Sequence, residues 1–364
     1  MVVMKIVNVN LKDISYRISI GSGLLEEVGY QLRQVVKGDR VVMVTNPMVK
    51  RLYGKVIEQN LINNGFEVKI VEIPEGEEQK SLQNASRLYG ELNDYHAERS
   101  TPILALGGGV IGDLSGFVAA TYLRGVPFIQ IPTTLLAQID SSIGGKVAVN
   151  YNQFKNKIGS FYQPKLVVSD IATLHTLPEI EFVNGMAEII KHAVIWDKEL
   201  FGYIEKNIDS IKKAANDEML EELVYKAMKI KARIIEQDEN DLDLRNILNY
   251  GHTIGHAIET LSEFKLKHGE AVAIGMLAAG RISNKMGMLN ENELYRMKDV
   301  IEKVGLDTNL PDVDITQLIE VMRHDKKVLA GKIRFVLLNS IGKAIMSDAV
   351  PLSLVKEVLV NSDE

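Results

Sequence analysis

LALGGGVIGD, residues 104–113, runs from a short apolar strand-like segment through three consecutive glycines into a stretch of helical period. A strand feeding a glycine-rich turn and then a helix is one half of a βαβ unit. Glycine lets the backbone approach a pyrophosphate, and the helix N-terminus favours its negative charge. Gly107, Gly109 and Gly112 fit G-x-G-x-x-G in form. Alone the match is weak: the loop does not follow the first strand, and no acidic residue stands about twenty positions on. A plain strand-to-helix turn accounts for it equally well.

Outward from this unit the same alternation repeats. Apolar, β-rich runs occur at 14–20, 41–45, 67–73, 102–106, 127–131 and 166–169, with helical-period stretches near 24–36, 48–64, 79–97 and 110–121. Strands alternating with helices predict a mostly parallel sheet wrapped by helices. After residue 172 the pattern becomes helical, at 179–206, 209–237, 246–263, 269–286, 291–304 and 315–323, interrupted by one β-rich run, IRFVLL, at 333–338. The expected organisation is an α/β domain over 1–172 and a mainly α-helical domain over 173–364.

Composition narrows the function classes. The 364 residues include 25% charged side chains, carry a net charge of −6 and contain no cysteine. An acidic balance argues against nucleic acid as a partner. The lack of cysteine removes disulfides, thiolate metal sites and cysteine nucleophiles, so any metal must use histidine and carboxylate. MVVMKIVNVNLKD at the start has too short an apolar run for a signal peptide, and no run of about 18 apolar residues predicts a membrane span. A soluble cytoplasmic protein is the expectation.

Three of the seven histidines fall between 252 and 268. In NYGHTIGHAIE (249–259) His252 and His256 stand four apart, on one face of a helix. That is the spacing of H-E-x-x-H, but Thr253 occupies the position of a metalloprotease's general base. His268 opens HGEAVAIGM, and NGMAEIIKH (184–192) places Glu188 and Lys191 three apart. Two histidines, one carboxylate and an open position form a catalytic zinc pattern; spacing leaves Glu188, Glu259 and Glu270 open as the carboxylate. In PEGEEQKS (74–81), Glu77 and Lys80 are nucleotide contacts or helix caps. Arg124, Asp140, Lys146, Lys155, Asn156, Lys157, Lys231, Arg245 and Asn249 lie among glycines and small residues, a composition suited to an anionic ligand.

Five segments together resemble the sugar phosphate cyclase family: GGGVIGDLSGFVAATYLRGVPFIQIPTTLLAQIDSSIGGKVAVN, FKNKIGSFYQP, TLPEIEFVNGMAEIIKHAVI, RNILNYGHTIGHAIE and HGEAVAIGM. The resemblance implies a Rossmann-like N-terminal domain and a helical metal-binding domain, with NAD and a divalent metal, zinc or cobalt, as cofactors. It implies Glu188, His252 and His268 as metal ligands. It places Asn46, Glu77, Lys80, Gly108, Gly109, Val110, Asp113, Thr133, Thr134, Leu136, Asp140, Lys155, Thr176 and Leu177 at the nucleotide. Lys146, Asn156, Lys191, Lys231, Arg245, Asn249, His256 and Lys332 would surround a substrate bearing a carboxylate and a phosphate, with Asp140 beside them. Arg124 matches an arginine that reaches the neighbouring subunit's site, which implies a homodimer. The implied reaction is redox-neutral: a hydroxyl is oxidised, phosphate is eliminated and the hydride is returned. One departure stands out, Gln153-Phe154 where the family has Leu-Gly before Lys-Asn. The competing expectations are a cyclase acting on glucose 6-phosphate, a metal-dependent NAD polyol dehydrogenase and a non-catalytic binding protein on the same scaffold.

Overall fold

The structure, a computed structural model, describes residues 4–152, 154–213, 216–262, 265–323, 328–329 and 332–361. The chain divides into two compact units, one of Met1–Pro178 with Asp217–Asn240, the other of Glu179–Asn216 with Asp241–Glu364. The expected boundary at 172 has no counterpart for the excursion of Asp217–Asn240. The helix Asp217–Gln237 groups with the first unit because it packs on the first two strands of that unit's sheet.

Among the described residues the first unit has nine strands: β1 (Lys5–Val9), β2 (Tyr16–Gly21), β3 (Arg40–Thr45), β4 (Glu67–Glu72), β5 (Ile103–Gly107), β6 (Phe128–Pro132), β7 (Lys146–Tyr151), β8 (Phe154–Phe161) and β9 (Leu166–Asp170). Seven form one sheet in the order β1-β2-β9-β6-β5-β3-β4. All neighbours run parallel except β1, which is antiparallel to β2. All six strands expected from sequence are present. β1 and the antiparallel hairpin β7–β8 were not expected. β8 is exposed at nearly every position, so it carries no apolar alternation to announce a strand.

Every residue of β5, β6 and β9 is buried, as befits central strands covered on both faces. Alternate side chains go to opposite layers. Val42, Val44, Ile103 and Ala105 pack with Leu88, Leu92, Leu114 and Val118 of the helices Leu82–Asp94 and Gly109–Thr121. Val41, Met43, Leu104, Leu106, Ile129 and Ile131 pack with Val28, Leu32, Ile57 and Leu61 of the helices Val28–Arg33 and Lys55–Asn63. From β3 the chain steps outward to β4, then back across to β5, so the winding reverses between β3 and β5. Ligands of open α/β sheets bind beyond the carboxyl ends of the strands at such a reversal. Asn46 and Gly108 follow those two strand ends directly.

The helix Gly109–Thr121 lies so close to β6 and β7 that a Cβ on Gly116 would sit 2.3 Å from Val147 Cγ1 and 2.9 Å from Phe128. Gly90, on the exposed side of Leu82–Asp94, has nothing within 4 Å. We therefore expect opposite signs from one chemical change. Gly116→Ala overpacks the interface and costs about 1–3 kcal/mol; Gly90→Ala gains up to about 1 kcal/mol of helix propensity. Urea unfolding midpoints of the two variants, moving down and up, check this pair.

The second unit contains the helices Glu179–Trp196, Lys198–Lys212, His252–Leu261, His268–Lys285, Glu291–Val304, Ile315–Arg323 and Leu352–Val360, and an antiparallel hairpin of Phe335–Ser340 with Lys343–Ser347. The predicted helix 179–206 is broken at Asp197, whose carboxylate accepts from Glu199 N and Leu200 N at 3.0 and 2.9 Å and starts a new helix. The helices starting at His252 and His268 pack against each other at glycines. An ideal Cβ on Gly275 would stand 2.0 Å from the Gly251 carbonyl, and one on Gly255 2.9 Å from the Ala271 carbonyl. Gly251, with φ +79, sits immediately before the first of these helices. Ile254, Ile258, Ile274 and Ile282 anchor the same pair in an apolar cluster with Phe335 and Leu337. Among the described residues no helix is long and apolar enough to cross a membrane.

Candidate metal and nucleotide sites

Glu188 is fully buried in the middle of Glu179–Trp196. One of its oxygens, Oε2, accepts from the ammonium of Lys191, one turn on and also buried. The other, Oε1, accepts no hydrogen bond from any described residue. It faces His252 Nε2 at 3.5 Å and His268 Nε2 at 3.6 Å. An orphaned buried carboxylate oxygen is costly. Two imidazole nitrogens so placed around one carboxylate oxygen are positioned to share a cation with it. The three ligand atoms lie within 4.8 Å of one another. His252 also shows the expected outer contact: its Nδ1 donates to the Tyr250 carbonyl at 3.1 Å, leaving Nε2 with a lone pair.

The electrostatics match a cation site. Burial alone would push the Glu188 carboxyl up, but Lys191 and the two histidines outweigh it and hold it well below the usual carboxylate range. Burial, reinforced by Lys191, pulls His252 well below its usual value and keeps the ring neutral, as a ligand must be. Against burial, Glu188 and Glu259 push His268 up to about 10. Two carboxylates thus draw a positive charge here, a proton that a metal bound at Nε2 would displace.

Of the three carboxylates that spacing left open, Glu188 is the one between two Nε2 atoms. Glu270 turns back to cap its own helix, accepting from Lys267 N at 2.7 Å. Glu259 lies on the other nitrogen of His268, with Oε1 3.4 Å from Nδ1. His256 falls in a second group, with Glu259 and His268, whose ligand atoms also lie within 4.8 Å of one another. Arg245, buried, and Asn249 lie on the turn Leu244–Asn249 leading to His252. Lys332 lies in a two-residue strand, and its side chain falls outside the described residues, as does Gln153.

In the first unit the nucleotide candidates converge on one chain of contacts. Lys80, buried, donates to Asp113 Oδ2 at 2.8 Å and stands 3.5 Å from Glu77 Oε1. Burial opposes its charge, but Asp113 and Glu77 outweigh burial and hold its pKa above the usual lysine value. Asn150 Nδ2 donates to Glu77 Oε1 at 3.0 Å, and Asn156 N donates to Asn150 Oδ1 at 2.9 Å. Asn150 is the linking residue that sequence reasoning missed, although it closes the longest motif. Lys231 donates to the backbone and side chain of Asp140. Lys146, Lys155 and Asn156 lie on the β7–β8 hairpin.

The glycine loop has the form expected of an anion cradle. Gly108 precedes the helix Gly109–Thr121, and no side chain caps it. A Cβ on Gly108 would press on Thr134 at 3.2 Å, one on Gly109 on Ser141 at 3.3 Å, and one on Gly112 on Gln130 at 2.7 Å. Val110 follows in the first turn, and Leu136 precedes the turn Ala137–Ser141. Thr133 is buried, and its N–H donates to the Gly107 carbonyl at 3.0 Å. Thr134 Oγ accepts from Ala137 N at 3.1 Å. Three outlying candidates have local roles. Asn46 Oδ1 caps the turn after β3 through Val49 N at 2.8 Å, Thr176 pairs with the Tyr53 hydroxyl, and Leu177 ends the turn Ile171–Thr176. Arg124 is exposed, and both it and Leu123 have left-handed backbone, at φ 62 and 49.

Family models for the N-terminal and C-terminal parts of 3-dehydroquinate synthase match residues 70–184 and 185–328. The 3-dehydroquinate synthase of Dehalococcoides mccartyi strain CBDB1 is 51% identical over 347 residues, 95% of this chain and 96% of that one. The chain belongs to the 3-dehydroquinate synthase family. The 3-dehydroquinate synthase of Rippkaea orientalis is 46% identical over 360 residues, 98% of both chains. Among solved structures, 2-epi-5-epi-valiolone synthase from Streptomyces hygroscopicus subsp. jinggangensis 5008, with NAD+ and Zn2+ bound, aligns with TM-score 0.89 at 27% identity, covering 97% of this chain and 98% of that one. A 2-deoxy-scyllo-inosose synthase with carbaglucose-6-phosphate, NAD+ and Co2+ aligns with TM-score 0.89 at 28% identity, covering 98% and 99%. A probable glycerol dehydrogenase from Sinorhizobium meliloti 1021, at 15% identity and TM-score 0.63, shares the fold alone. Membership of the 3-dehydroquinate synthase family thus rests on sequence over nearly the whole chain.

Proposed function

We propose that this chain converts 3-deoxy-D-arabino-heptulosonate 7-phosphate into 3-dehydroquinate and phosphate, a step of the shikimate pathway. The steps are transient oxidation, β-elimination of phosphate, re-reduction, ring opening and intramolecular aldol closure. The observation that carries the reading is the buried Glu188 oxygen, without a hydrogen bond from any described residue and flanked by two Nε2 atoms, in a chain 51% identical to a 3-dehydroquinate synthase. Glu188, His252 and His268 would hold a divalent metal, zinc or cobalt. Gly108, Gly109, Val110, Asp113, Glu77 and Lys80 would hold NAD, with Asn46, Thr133, Thr134, Leu136, Asp140, Lys155, Thr176 and Leu177 as further contacts. When bound, the metal acidifies the hydroxyl it polarises and NAD takes up and returns one hydride, so no cofactor is consumed.

The chain's own groups do the rest. Lys191 keeps an ammonium beside Glu188, where it balances negative charge on a substrate oxygen. Arg245 offers a planar fork for the substrate carboxylate. Lys146, Asn156 and Arg124 cradle the phosphate, while His256, Asn249, Lys231 and Lys332 orient the remaining hydroxyls. Arg124, exposed on a left-handed turn, would reach the neighbouring site in a homodimer. A cytoplasmic location completes the reading.

The test supplies purified protein with zinc or cobalt, NAD at a small fraction of substrate, and either the heptulosonate phosphate or glucose 6-phosphate. We expect phosphate release from the heptulosonate phosphate only, with no NADH accumulating. Stoichiometric NADH would indicate a dehydrogenase, and preference for glucose 6-phosphate a different cyclase.

A further inference from the structure

His252 and His268 both turn Nε2 toward one oxygen of Glu188. A neutral imidazole offers a lone pair on one nitrogen only while the other carries the proton, and the partner of that proton fixes both tautomer and ring orientation. For His252 the partner is the Tyr250 carbonyl. On the far side of the His268 ring stands a carboxylate: Glu259 Oε1 lies 3.4 Å from Nδ1.

We propose that Glu259 is a positioning residue of the metal centre: its carboxylate accepts the Nδ1 proton of His268 and so fixes the ring with Nε2 presented to the metal. The inference rests on the metal centre proposed above and adds to it a residue that is not itself a ligand. Three features of the structure carry it. Glu259 is only 7% exposed, and a carboxylate so placed persists only with hydrogen-bonding partners. It lies two helical turns after His252 on the same helix, so one rigid element supplies a ligand and the orienting group of a ligand on the next helix. Glu270, the nearest carboxylate in sequence to His268, is committed to the Lys267 amide. The second oxygen of Glu259 stands 4.0 Å from His256 Nε2, so the same carboxylate also borders the substrate-side histidine.

The test is Glu259→Gln, with Glu259→Asp as conservative variant and Glu270→Gln as control, each prepared metal-free and titrated with Co2+ against a chelator. We expect Glu259→Gln to weaken cobalt binding about 10–100-fold, to shift the visible spectrum of the cobalt-loaded protein, and to leave the metal-free unfolding midpoint unchanged. Glu259→Asp should recover part of the affinity, and Glu270→Gln should keep the wild-type spectrum. Wild-type affinity and spectrum in Glu259→Gln would overturn the positioning role while leaving the metal centre standing. So would an affinity loss matched by an equal fall of the metal-free midpoint, which would make Glu259 a purely structural group. Failure of the unaltered protein to take up cobalt or zinc would overturn the metal centre and this role together.

Discussion

Glu188→Gln is expected to yield a folded protein that carries no metal and has lost activity by at least about a thousandfold. The substitution keeps the shape of the side chain and removes its charge. A metal's charge stabilisation of a transition state amounts to several kcal/mol, and each 1.4 kcal/mol or so is tenfold in rate. A second effect follows from burial. Lys191 is 2% exposed and has the Glu188 carboxylate as its ion-pair partner. Removing one member of a buried pair costs about 3–5 kcal/mol, whereas replacing both with apolar groups is often neutral. The single variant should therefore unfold earlier in urea than the double variant Glu188→Gln, Lys191→Met, while neither retains metal by elemental analysis. Full metal content and turnover in Glu188→Gln would refute the ligand assignment.

Gly275→Ala is expected to damage the same centre through the packing of its two histidine-bearing helices, without touching a ligand. The added Cβ would fall 2.0 Å from the Gly251 carbonyl, a distance no packed structure tolerates. Backbone cannot rotate aside as a flexible side chain can, so the helices beginning at His252 and His268 must separate. Overpacking ordinarily costs about 1–3 kcal/mol; a clash with backbone should reach or exceed the upper end. The ligand nitrogens sit at the starts of these two helices, and metal sites tolerate only about 0.2 Å of error in ligand distance. We expect chelator-measured affinity to fall at least tenfold, with a lower unfolding midpoint even in the metal-free protein. The metal-free midpoint separates this variant from Glu259→Gln, which should change affinity alone.

The alternation that made the first unit legible is a local property: β5 and its following helix differ in period, and their glycine turn lies between. The β7–β8 hairpin was illegible because β8 is polar and exposed, and its charged residues read as a ligand pocket. The histidine pair was legible as a cluster, yet spacing on one helix could not separate His252 from His256. That separation depends on where the helix starts, set at Gly251 with φ +79, and on which ring nitrogen points at Glu188, set by the Nδ1 contact with the Tyr250 carbonyl. The choice among Glu188, Glu259 and Glu270 depended in the same way on side-chain direction rather than on position in the chain.

The excursion of Asp217–Asn240 has a consequence for how the protein is made. Leu223, Val224, Ala227 and Met228 are buried in a helix that packs on β1 and β2, strands that leave the ribosome well before it. Those strands must wait for more than 200 residues of further synthesis before their covering helix exists. The unit that begins the chain therefore cannot finish folding until Glu179–Asn216 of the other unit has also been synthesised. A fragment ending at Pro178 would carry every strand of the large sheet and still expose an apolar face to the cell's quality control.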